Sequence, residues 1–311
     1  MSALRVVAPG FLTTVQDLGR PGHAAAGVSA SGAADPLALR IGNRLVGNGD
    51  DAPGLEMTML GGSFQFEADG IVAVSGSDSG ARLGDRAVAP WTPCRARAGD
   101  TLVCGALRGG ARSYLCVRGG ITVPLVFASA STHLQTGLGG FEGRALRAGD
   151  RLLVGAPGER APFDRAVDAS DLPGYRTAEP FRVTEGPQAS WFGPKAQEAF
   201  YDTPWQVAQA CDRMGIRLSG PPIRLVEPRE LATEGVLSGA IQIPPGGLPI
   251  VLFVEHQTTG GYPKLANVIA ADLARLGGLK PRDTMRFEPI SLAAARALLR
   301  AQEEALDALF F

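Results

Sequence analysis

Arg97-Ala98-Gly99-Asp100-Thr101-Leu102 recurs later in the chain as Arg147-Ala148-Gly149-Asp150-Arg151-Leu152, and a weaker copy stands at Lys280-Pro281-Arg282-Asp283-Thr284-Met285. In each copy, a turn that carries an aspartate leads into a segment that resembles a strand. Glycine and aspartate favour tight turns, because glycine tolerates positive φ and aspartate bonds to nearby backbone N–H groups. The repeat therefore predicts one barrel-closing turn that is used several times. We interpret it as architectural and not catalytic.

Short apolar runs between glycine or proline turns extend this pattern along the chain, and such spacing is typical of a sandwich or barrel. Glycine supplies 41 of the 311 residues, well above the usual share of about 7%, which fits a chain with many tight turns. We predict a mainly β protein with a few helices (α+β), whose strands include Arg5–Ala8, Ile71–Val74, Thr101–Cys104, Tyr114–Val117, Arg151–Val154, Phe181–Val183, Val236–Ile243 and Thr284–Phe287.

Four helices are predicted. The first begins at Asp35-Pro36, because aspartate is a good N-cap and proline suits the first helical position. The others are placed around Lys195–Phe200, after Pro263, and from Ser291 onward. Between the strand-rich parts, residues 156–180 are rich in Pro, Asp, Arg and Ala without periodicity, as a linker would be. We predict an N-terminal β domain of residues 1–160, a linker of residues 161–180, and a C-terminal β domain of residues 181–311.

Composition narrows the possible functions. The net charge is −1, which does not suggest binding to nucleic acid or to an anionic membrane. The four cysteines stand singly, without a C-x-x-C pair, and we expect buried free thiols in a reducing compartment. The N-terminus lacks a long apolar segment and no stretch has the length of a membrane span. We therefore expect a cytoplasmic protein.

One polar stretch suggests a functional hypothesis: Val254-Glu255-His256-Gln257-Thr258-Thr259-Gly260-Gly261-Tyr262-Pro263-Lys264. It follows an apolar run, predicted as a strand, and precedes the helix predicted after Pro263. Backbone N–H groups at a helix N-terminus can hold an anion or a polarised carbonyl. A connection whose polar residues only cap the helix is the alternative, and the two interpretations stay open at this point.

A second candidate group lies near the N-terminus and contains Gln16, Asp17, Arg20, Ser31 and Asp35. Arg20 could bind a carboxylate or phosphate through two hydrogen bonds. Asp17 could equally be its structural partner, and Asp35 is best explained as a helix cap.

A third candidate group contains Arg118, Ser131-Thr132 and the glycine-rich run Gly137–Arg144. The run does not match the dinucleotide-binding fingerprint, because Glu142 replaces its last glycine. A tight turn and a nest of N–H donors facing an oxyanion are both compatible with it. The Asp212-Arg213 pair, further along the chain, is compatible with an ordinary surface ion pair.

Several chemistries are absent from the sequence. It has no phosphate-binding P-loop, no nucleophile elbow, no biotinylation lysine context, and three isolated histidines that do not suggest a metal site. Carboxylates, arginines, amides, hydroxyls and glycine N–H groups remain. These groups suit the recognition of a small carbonyl compound without a metal or a covalent nucleophile.

These motifs together resemble one known family. The resemblance is carried by Thr13–Arg20, Gly27–Asp35, Asn43–Asn48, Leu55-Glu56, Arg118–Ile121, Ser131-Thr132, Gly139–Arg144, Asp212–Leu218 and Gln257–Tyr262. The chain is similar to the KipA-like, biotin-dependent carboxyltransferase family, also called allophanate hydrolase subunit 2, and most similar to the branch that holds the C subunit of 5-oxoprolinase. The family also includes half of the carboxyltransferase domain of urea carboxylase. The resemblance implies two cyclophilin-like β-barrel halves.

The resemblance also implies partners and three alternative functions. The first is ATP-dependent hydrolysis of 5-oxoproline to glutamate by a hetero-oligomer that also holds a KipI-like protein and a LamB/YcsF-like protein, in which the isolated chain is inactive. It requires no covalently bound cofactor, and ATP with magnesium is used by the complex. The second is carboxyl transfer from biotin to urea or a related amide. The third is a non-catalytic regulator that binds a KipI-like kinase inhibitor.

Site residues implied by the resemblance fall into two classes. The proposed catalytic group is Asp17, Arg20, Glu255, Gln257 and Thr258, in which Arg20 holds negative charge, Gln257 and Thr258 orient the substrate, and Asp17 or Glu255 positions water. The substrate-binding group is Gln16, Ser31, Asp35, Arg118, Ser131, Thr132, Gly139, Gly140, Arg144, Thr259, Gly260, Gly261 and Tyr262. Two positions depart from the common family pattern: Glu255 replaces an aspartate, and Ala130 replaces an arginine.

Overall fold

The computed structural model describes residues 2–168 and 180–310. Its strands are β1 Ala3–Ala8, β2 Leu12–Gln16, β3 Gly54–Thr58, β4 Ser63–Phe66, β5 Gly70–Asp78, β6 Arg82–Leu83, β7 Arg86–Ala87, β8 Pro93–Ala96, β9 Thr101–Val103, β10 Arg108–Val117, β11 Ile121–Thr122, β12 Arg151–Val154, β13 Phe181–Glu185, β14 Trp205–Val207, β15 Gly215–Ser219, β16 Glu234–Gly235, β17 Ala240–Gln242, β18 Ile250–Leu252, β19 Thr259–Gly260, β20 Lys264–Val268, β21 Thr284–Met285 and β22 Phe287–Pro289. The α-helices are α1 Pro36–Leu45, α2 Pro194–Asp202, α3 Leu273–Leu276 and α4 Leu292–Ala308. The prediction of a mainly β protein with a few helices is confirmed.

The described residues form two compact units. Unit 1 comprises residues 2–20, 31–168 and 309–310, and unit 2 comprises residues 21–30 and 180–308. Of the linker predicted over residues 161–180, residues 169–179 lie outside the described part of the chain.

Unit 1 is built from two antiparallel sheets around one core. One sheet has the strand order β11-β12-β1-β4-β9-β6-β7 and the other has the order β2-β3-β10-β5-β8. Alternate side chains of each strand point inward, so apolar residues of both sheets meet in a single cluster that includes Leu4, Phe64, Leu102, Leu55, Val72 and Leu115. Helix α1 begins as predicted, because the Asp35 carboxylate accepts a hydrogen bond of 2.9 Å from the N–H of Ala38.

Unit 2 contains an eight-stranded sheet that nearly closes on itself. Its order is β21-β14-β15-β18-β17-β20-β13-β22. The two terminal strands, β21 and β22, are separated in sequence by one residue, Arg286. Because consecutive residues must lie together, the two ends of the sheet come together as in a barrel. This geometry agrees with the expected barrel architecture.

The repeated turn has the same hydrogen bonds in all three copies. The N–H of its first residue donates to the aspartate three residues later, from Arg97 to Asp100 at 2.8 Å, from Arg147 to Asp150 at 2.7 Å, and from Lys280 to Asp283 at 3.0 Å. The third residue has positive φ in every copy, 89° at Gly99, 92° at Gly149 and 75° at Arg282. A strand follows each turn, so the prediction of one turn used several times is confirmed.

The helix predicted after Pro263 is wrong. Residues Lys264–Val268 form strand β20, which lies between β13 and β17 in the sheet of unit 2. A strand with neighbours on both sides and both faces covered buries consecutive side chains, so its sequence lacks the alternation of a half-exposed strand. The apolar residues that follow Pro263 consequently matched a helical spacing by coincidence.

The cysteines are free, and two of them, Cys104 and Cys116, are buried. Burial raises the pKa of the Cys104 thiol to about 11. Within residues 2–168 and 180–310, no helix combines the length and the hydropathy needed to cross a membrane.

Candidate active site

Asp17 is the centre of a buried polar network in unit 1. It follows strand β2 directly, and its carboxylate accepts hydrogen bonds from the N–H of Gly19 at 2.8 Å, the hydroxyl of Ser129 at 2.7 Å and the N–H of Ala130 at 2.6 Å. The hydroxyl of Ser131 donates to the same carboxylate. Both carboxylate oxygens are therefore engaged in holding the segment 129–131 against the turn at residues 17–19.

Arg20 is almost fully buried beside the segment 129–131, with 1% of its surface exposed. Its Nε donates to the carbonyl of Val126 at 3.3 Å, and its Nη2 donates to the carbonyl of Ser131. A Cβ at Gly139 would lie 2.7 Å from that Nη2, so the backbone of Gly139 passes directly over the guanidinium. These contacts make Arg20 part of the scaffold of the loop.

The glycine-rich run forms a tight turn. Gly139 and Gly140 both have positive φ, 65° and 57°, which side chains with a Cβ rarely adopt. The N–H of Gly140 donates to the carbonyl of Ala130 at 3.0 Å, and the N–H of Gly143 donates to that of Gly139 at 2.9 Å. Of the two interpretations of this run, the turn is the one that these hydrogen bonds support.

Gln16, Ser31 and Thr132 complete the network. The Gln16 amide donates to the Thr132 carbonyl at 3.0 Å, and the Ser31 hydroxyl donates to the same carbonyl at 3.1 Å. Oε1 of Gln16 is buried and meets no hydrogen-bond donor in the described part of the chain. A buried acceptor without a donor is costly, and such an atom calls for an explanation, of which a bound molecule is one.

Three residues that the sequence patterns do not assign to a site join this network from strands β3 and β10. The Tyr114 hydroxyl donates to Glu56 at 2.7 Å and accepts from the N–H of Asp35 at 2.8 Å. Nε of Arg112 lies 3.7 Å from the Glu56 carboxylate. Burial, together with the charges of Glu56 and Asp35, raises the pKa of Tyr114 well above its ordinary value. The phenol consequently stays protonated, and this cluster fixes the start of α1.

Glu255 in unit 2 is held in a buried ion pair with Arg213. Nε of Arg213 donates to the Glu255 carboxylate, and the side chains of Arg213 and Glu255 are 6% and 2% exposed. Of the interpretations compatible with Asp212-Arg213, the structure does not support the surface ion pair, because Asp212 accepts from the N–H groups of Met214 at 2.8 Å and Gly215 at 3.2 Å. The long side chain of Glu255 is thus used to reach Arg213.

The loop that begins at Gln257 lies over a second glutamine. Nε2 of Gln257 is 3.4 Å from Oε1 of Gln242, and a Cβ at Gly260 would lie 2.6 Å from Nε2 of Gln242. Thr259 and Gly260 form strand β19, which pairs with β16. The carbonyl of Thr258 accepts from the N–H of Val236 at 3.1 Å. The loop is therefore built into a small sheet, and strand β20 stands where a helix N-terminus was expected to supply N–H donors.

A cavity of about 740 Å³ opens beside this loop in unit 2. Gly261 and the half-exposed ring of Tyr262 contribute to its wall, together with Arg224, Arg229 and Glu230. Its volume lies in the range of small-molecule sites, about 300–1,000 Å³. The cavity makes this end of the loop accessible to a ligand.

Lys264 carries a buried charge close to the same loop. Its Nζ donates to Glu234, and Gln188 donates to the same carboxylate at 3.0 Å. The hydrogen bond from Lys264 lowers the pKa of Glu234. Lys264 ends the polar stretch 254–264, but Glu234 belongs to no motif of the sequence, so their pairing has no signal in the sequence.

Two of the predicted arginines lie away from these networks. Arg144 pairs with Glu142 at 2.7 Å and Asp150 at 2.8 Å. Arg118 lines a different cavity of unit 1 and donates to the Gly158 carbonyl at 3.2 Å.

The remaining predicted residues fall into two groups, one in each unit. Unit 1 brings together Gln16, Asp17, Arg20, Ser31, Asp35, Ser131, Thr132, Gly139 and Gly140, and unit 2 holds Glu255, Gln257, Thr258, Thr259, Gly260, Gly261 and Tyr262.

Comparison with known proteins gives consistent matches. Residues 26–289 match the family model described as carboxyltransferase domain, subdomain A and B. The chain is 41% identical over 303 residues to the 5-oxoprolinase C subunit of Escherichia coli, covering 97% of this chain and 94% of that protein. It is 37% identical over 294 residues to the 5-oxoprolinase C subunit of Haemophilus influenzae, covering 94% and 93%.

Among solved structures, the chain is similar to the K. lactis urea amidolyase, with a TM-score of 0.92 and 33% identity. The match covers 99% of this chain and 20% of that one, so the chain corresponds to about a fifth of the urea amidolyase.

Proposed function

The chain belongs to the carboxyltransferase domain family of subdomains A and B, and from this premise we propose that it is a subunit of an ATP-dependent 5-oxoprolinase. The reaction adds water across the lactam C–N bond of 5-oxo-L-proline. The ring nitrogen becomes the amino group of L-glutamate, and the lactam carbonyl becomes its side-chain carboxylate. ATP is cleaved to ADP and phosphate in the same turnover.

One observation carries this proposal. The 41% identity to the E. coli 5-oxoprolinase C subunit extends over 97% of this chain and 94% of that protein. A match of nearly equal lengths supports the same role in an assembly. The match to the urea amidolyase, in contrast, includes only a fifth of a much longer protein.

Within the proposed reaction, the residues of unit 2 are the better candidates for contact with substrate. The side chains of Gln257 and Thr258 are partly exposed, and Tyr262 lines the adjacent cavity. An amide and a hydroxyl can bind the lactam N–H and C=O, which orients the carbonyl for attack. We propose that Glu255 acts through Arg213, because its carboxylate is already committed to that ion pair.

We further propose that Asp17 and Arg20 are positioning residues. Their charged groups are buried and bonded to the segment 126–131. Contact with a substrate would require these hydrogen bonds to break, and such bonds to charged groups are worth about 1.5–3 kcal/mol each. The unpartnered Oε1 of Gln16 is the better candidate in this network for a ligand N–H.

A resident magnesium ion for the nucleotide is not supported by the side chains of this chain. Among residues 2–168 and 180–310, no group of three or more His, Cys, Asp or Glu side chains could hold a metal ion. The roles proposed for Gln257, Thr258 and Glu255 do not depend on a magnesium ion.

The proposed partners are a KipI-like protein and a LamB/YcsF-like protein. The test is to purify the three proteins and to measure glutamate released from 5-oxoproline with ATP, omitting one protein at a time. We expect release from the complete mixture and none from the chain alone. A complete mixture that binds together but releases no glutamate would contradict the proposal.

Carboxyl transfer from biotin is the second candidate, favoured by the TM-score of 0.92 with the urea amidolyase. It predicts that urea or a related amide is carboxylated only when a biotin carrier and bicarbonate are supplied. Avidin should then block the reaction. Insensitivity of 5-oxoproline hydrolysis to avidin would support the first candidate over the second.

Gln257→Ala tests the site assignment within the active complex. We expect a higher KM for 5-oxoproline, because the variant loses a binding group and, within the scaffold, a long hydrogen bond of 3.4 Å to Gln242. Gln206→Ala is the matched control, since Gln206 is exposed on strand β14. If both variants keep wild-type KM and kcat, Gln257 does not contact the substrate. If the chain is instead a KipA-type regulator, Gln257→Ala should leave partner binding unchanged, and neither the wild-type chain nor the variant should support turnover.

A further inference from the structure

A second cavity in unit 1, of about 880 Å³, has a composition that the proposed function does not explain. Six apolar residues line it, and we call this part of the lining its apolar floor: the half-buried Ile71 and the buried Leu4, Phe66, Leu83, Val117 and Val154. Four arginines, Arg86, Arg95, Arg97 and Arg118, also line it. The cavity shares no residue with the network around Asp17 and Arg20. We call it the arginine cleft.

The carboxylates in the arginine cleft do not neutralise these arginines. Asp69 accepts from the N–H of Ala98 at 2.8 Å, and Asp100 accepts from the N–H of Arg97 at 2.8 Å. In the part of the chain that the structure describes, none of the four guanidinium groups lies within ion-pair distance of a carboxylate. Lining residues therefore contribute four positive and two negative charges.

The second copy of the repeated turn differs from the copy in the arginine cleft in how its aspartate is paired. At that copy, Asp150 binds its own turn in the same way and also pairs with Arg144 at 2.8 Å. The equivalent Asp100 has no arginine side chain as a partner in the described residues. The arginines around Asp100 instead donate to main-chain carbonyls, from Arg86 to Arg95 at 2.7 Å and from Arg118 to Gly158 at 3.2 Å. A guanidinium has five N–H donors, so most of their donors remain available.

We propose that the arginine cleft binds a small anion with an apolar body and carboxylate or phosphate groups. Guanidinium groups match both anions geometrically and bind them through paired hydrogen bonds. The apolar floor would cover the body of the ligand, and a concave site of this volume is typical for small molecules. A concave shape with an apolar floor favours a small molecule over an acidic protein segment. The proposal is independent of the 5-oxoprolinase function.

The test is calorimetric titration of the purified full chain with three probes: phenyl phosphate, inorganic phosphate and phenylsuccinate. We expect saturable binding of phenyl phosphate or phenylsuccinate, weakened by salt because the contacts are ionic. The one of these two probes that binds more tightly shows whether the cleft prefers a phosphate or a carboxylate. Phenyl phosphate must bind more tightly than inorganic phosphate if the apolar floor contributes, and equal affinities would contradict that part of the proposal.

Variants locate the binding. Replacement of two exposed arginines, Arg95→Gln with Arg97→Gln, removes charge without touching the core, and we expect affinity to fall about tenfold or more. Arg108→Gln is the matched control, because Arg108 is exposed in the same unit and lies outside the cleft. Absence of saturable binding by all three probes would overturn the proposal. Equal losses in the control, or binding of an acidic peptide alone, would also overturn it.

Discussion

Replacement of Asp17 by asparagine perturbs the network of unit 1 with almost no change of shape. The aspartate accepts from four donors, the N–H groups of Gly19 and Ala130 and the hydroxyls of Ser129 and Ser131. The two hydroxyls can rotate and accept from an asparagine NH2 group. The two N–H groups cannot, because they only donate.

The loss of stability in Asp17→Asn follows from this difference between hydroxyl and N–H partners. One carboxylate oxygen faces Gly19 and the other faces Ala130, so either orientation of the new amide places NH2 against an N–H. The variant therefore leaves one buried donor without an acceptor and loses the charge-assisted strength of the others. An unsatisfied buried group costs about 1–3 kcal/mol. With the lost charge included, we expect about 2–3 kcal/mol.

Hydrogen exchange measured by mass spectrometry is the appropriate assay, because a chain with two units need not unfold in one step. The peptide containing Ala130 should exchange roughly 30- to 140-fold faster in the variant. Asp78→Asn is the matched control, since Asp78 accepts one N–H, from Gly80 at 2.8 Å, which an amide oxygen can also accept. Unchanged protection of the 129–131 segment in Asp17→Asn would refute the assigned role of the carboxylate.

Three further predictions concern other parts of the molecule. Arg213→Met should destabilise the surroundings of Glu255 by about 3–5 kcal/mol, because it leaves that carboxylate buried and unpaired. Hydrogen exchange of the peptide containing Glu255 measures this loss, and adding Glu255→Leu should recover part of it. Equal losses in the single and double variants would argue against the pair. Gly139→Ala should lower the melting temperature more than Gly149→Ala. Both glycines have positive φ, but only a Cβ at Gly139 would meet other atoms. Equal shifts of the melting temperature in calorimetry would contradict this expectation. Burial lowers the pKa of His256 below 6.5, so below about pH 6.5 the unfolded chain takes up a proton that the folded chain does not. The contribution of the neutral His256 to the free energy of unfolding is therefore complete above about pH 6.5 and is lost as the pH falls below it. His256→Gln should flatten this part of the profile of unfolding free energy against pH, and an unaltered slope would count against the assignment.

The fold was predictable where local signals coincide with tertiary ones. The repeated turn is recognisable because its glycine and aspartate are needed for the turn itself. The start of α1 is recognisable because Asp35 and Pro36 perform local functions at a helix terminus. Strand β20 is the counterexample, since its consecutive side chains are almost all buried, which removes the alternation that identifies a strand.

The site was predictable as a set of segments and less so as a set of contacts. The segments around Asp17 and Ser131 do come together. The partner of Glu255 was missed, because Arg213 is distant in sequence and an adjacent aspartate offered a simpler pair. Tyr114 was missed because an isolated tyrosine in an apolar run is indistinguishable from a core residue until its hydrogen bonds are known. Long-range pairs of this kind have no local signature.

The central claim is that this chain is a subunit of an ATP-dependent 5-oxoprolinase. Its most direct test is the ratio of ADP to glutamate formed from 5-oxoproline by the purified mixture of this chain with the KipI-like and LamB/YcsF-like proteins. We expect both products to appear together in equal amounts, and omission of this chain to abolish glutamate formation. Glutamate formation that continues at the same rate without this chain would contradict it.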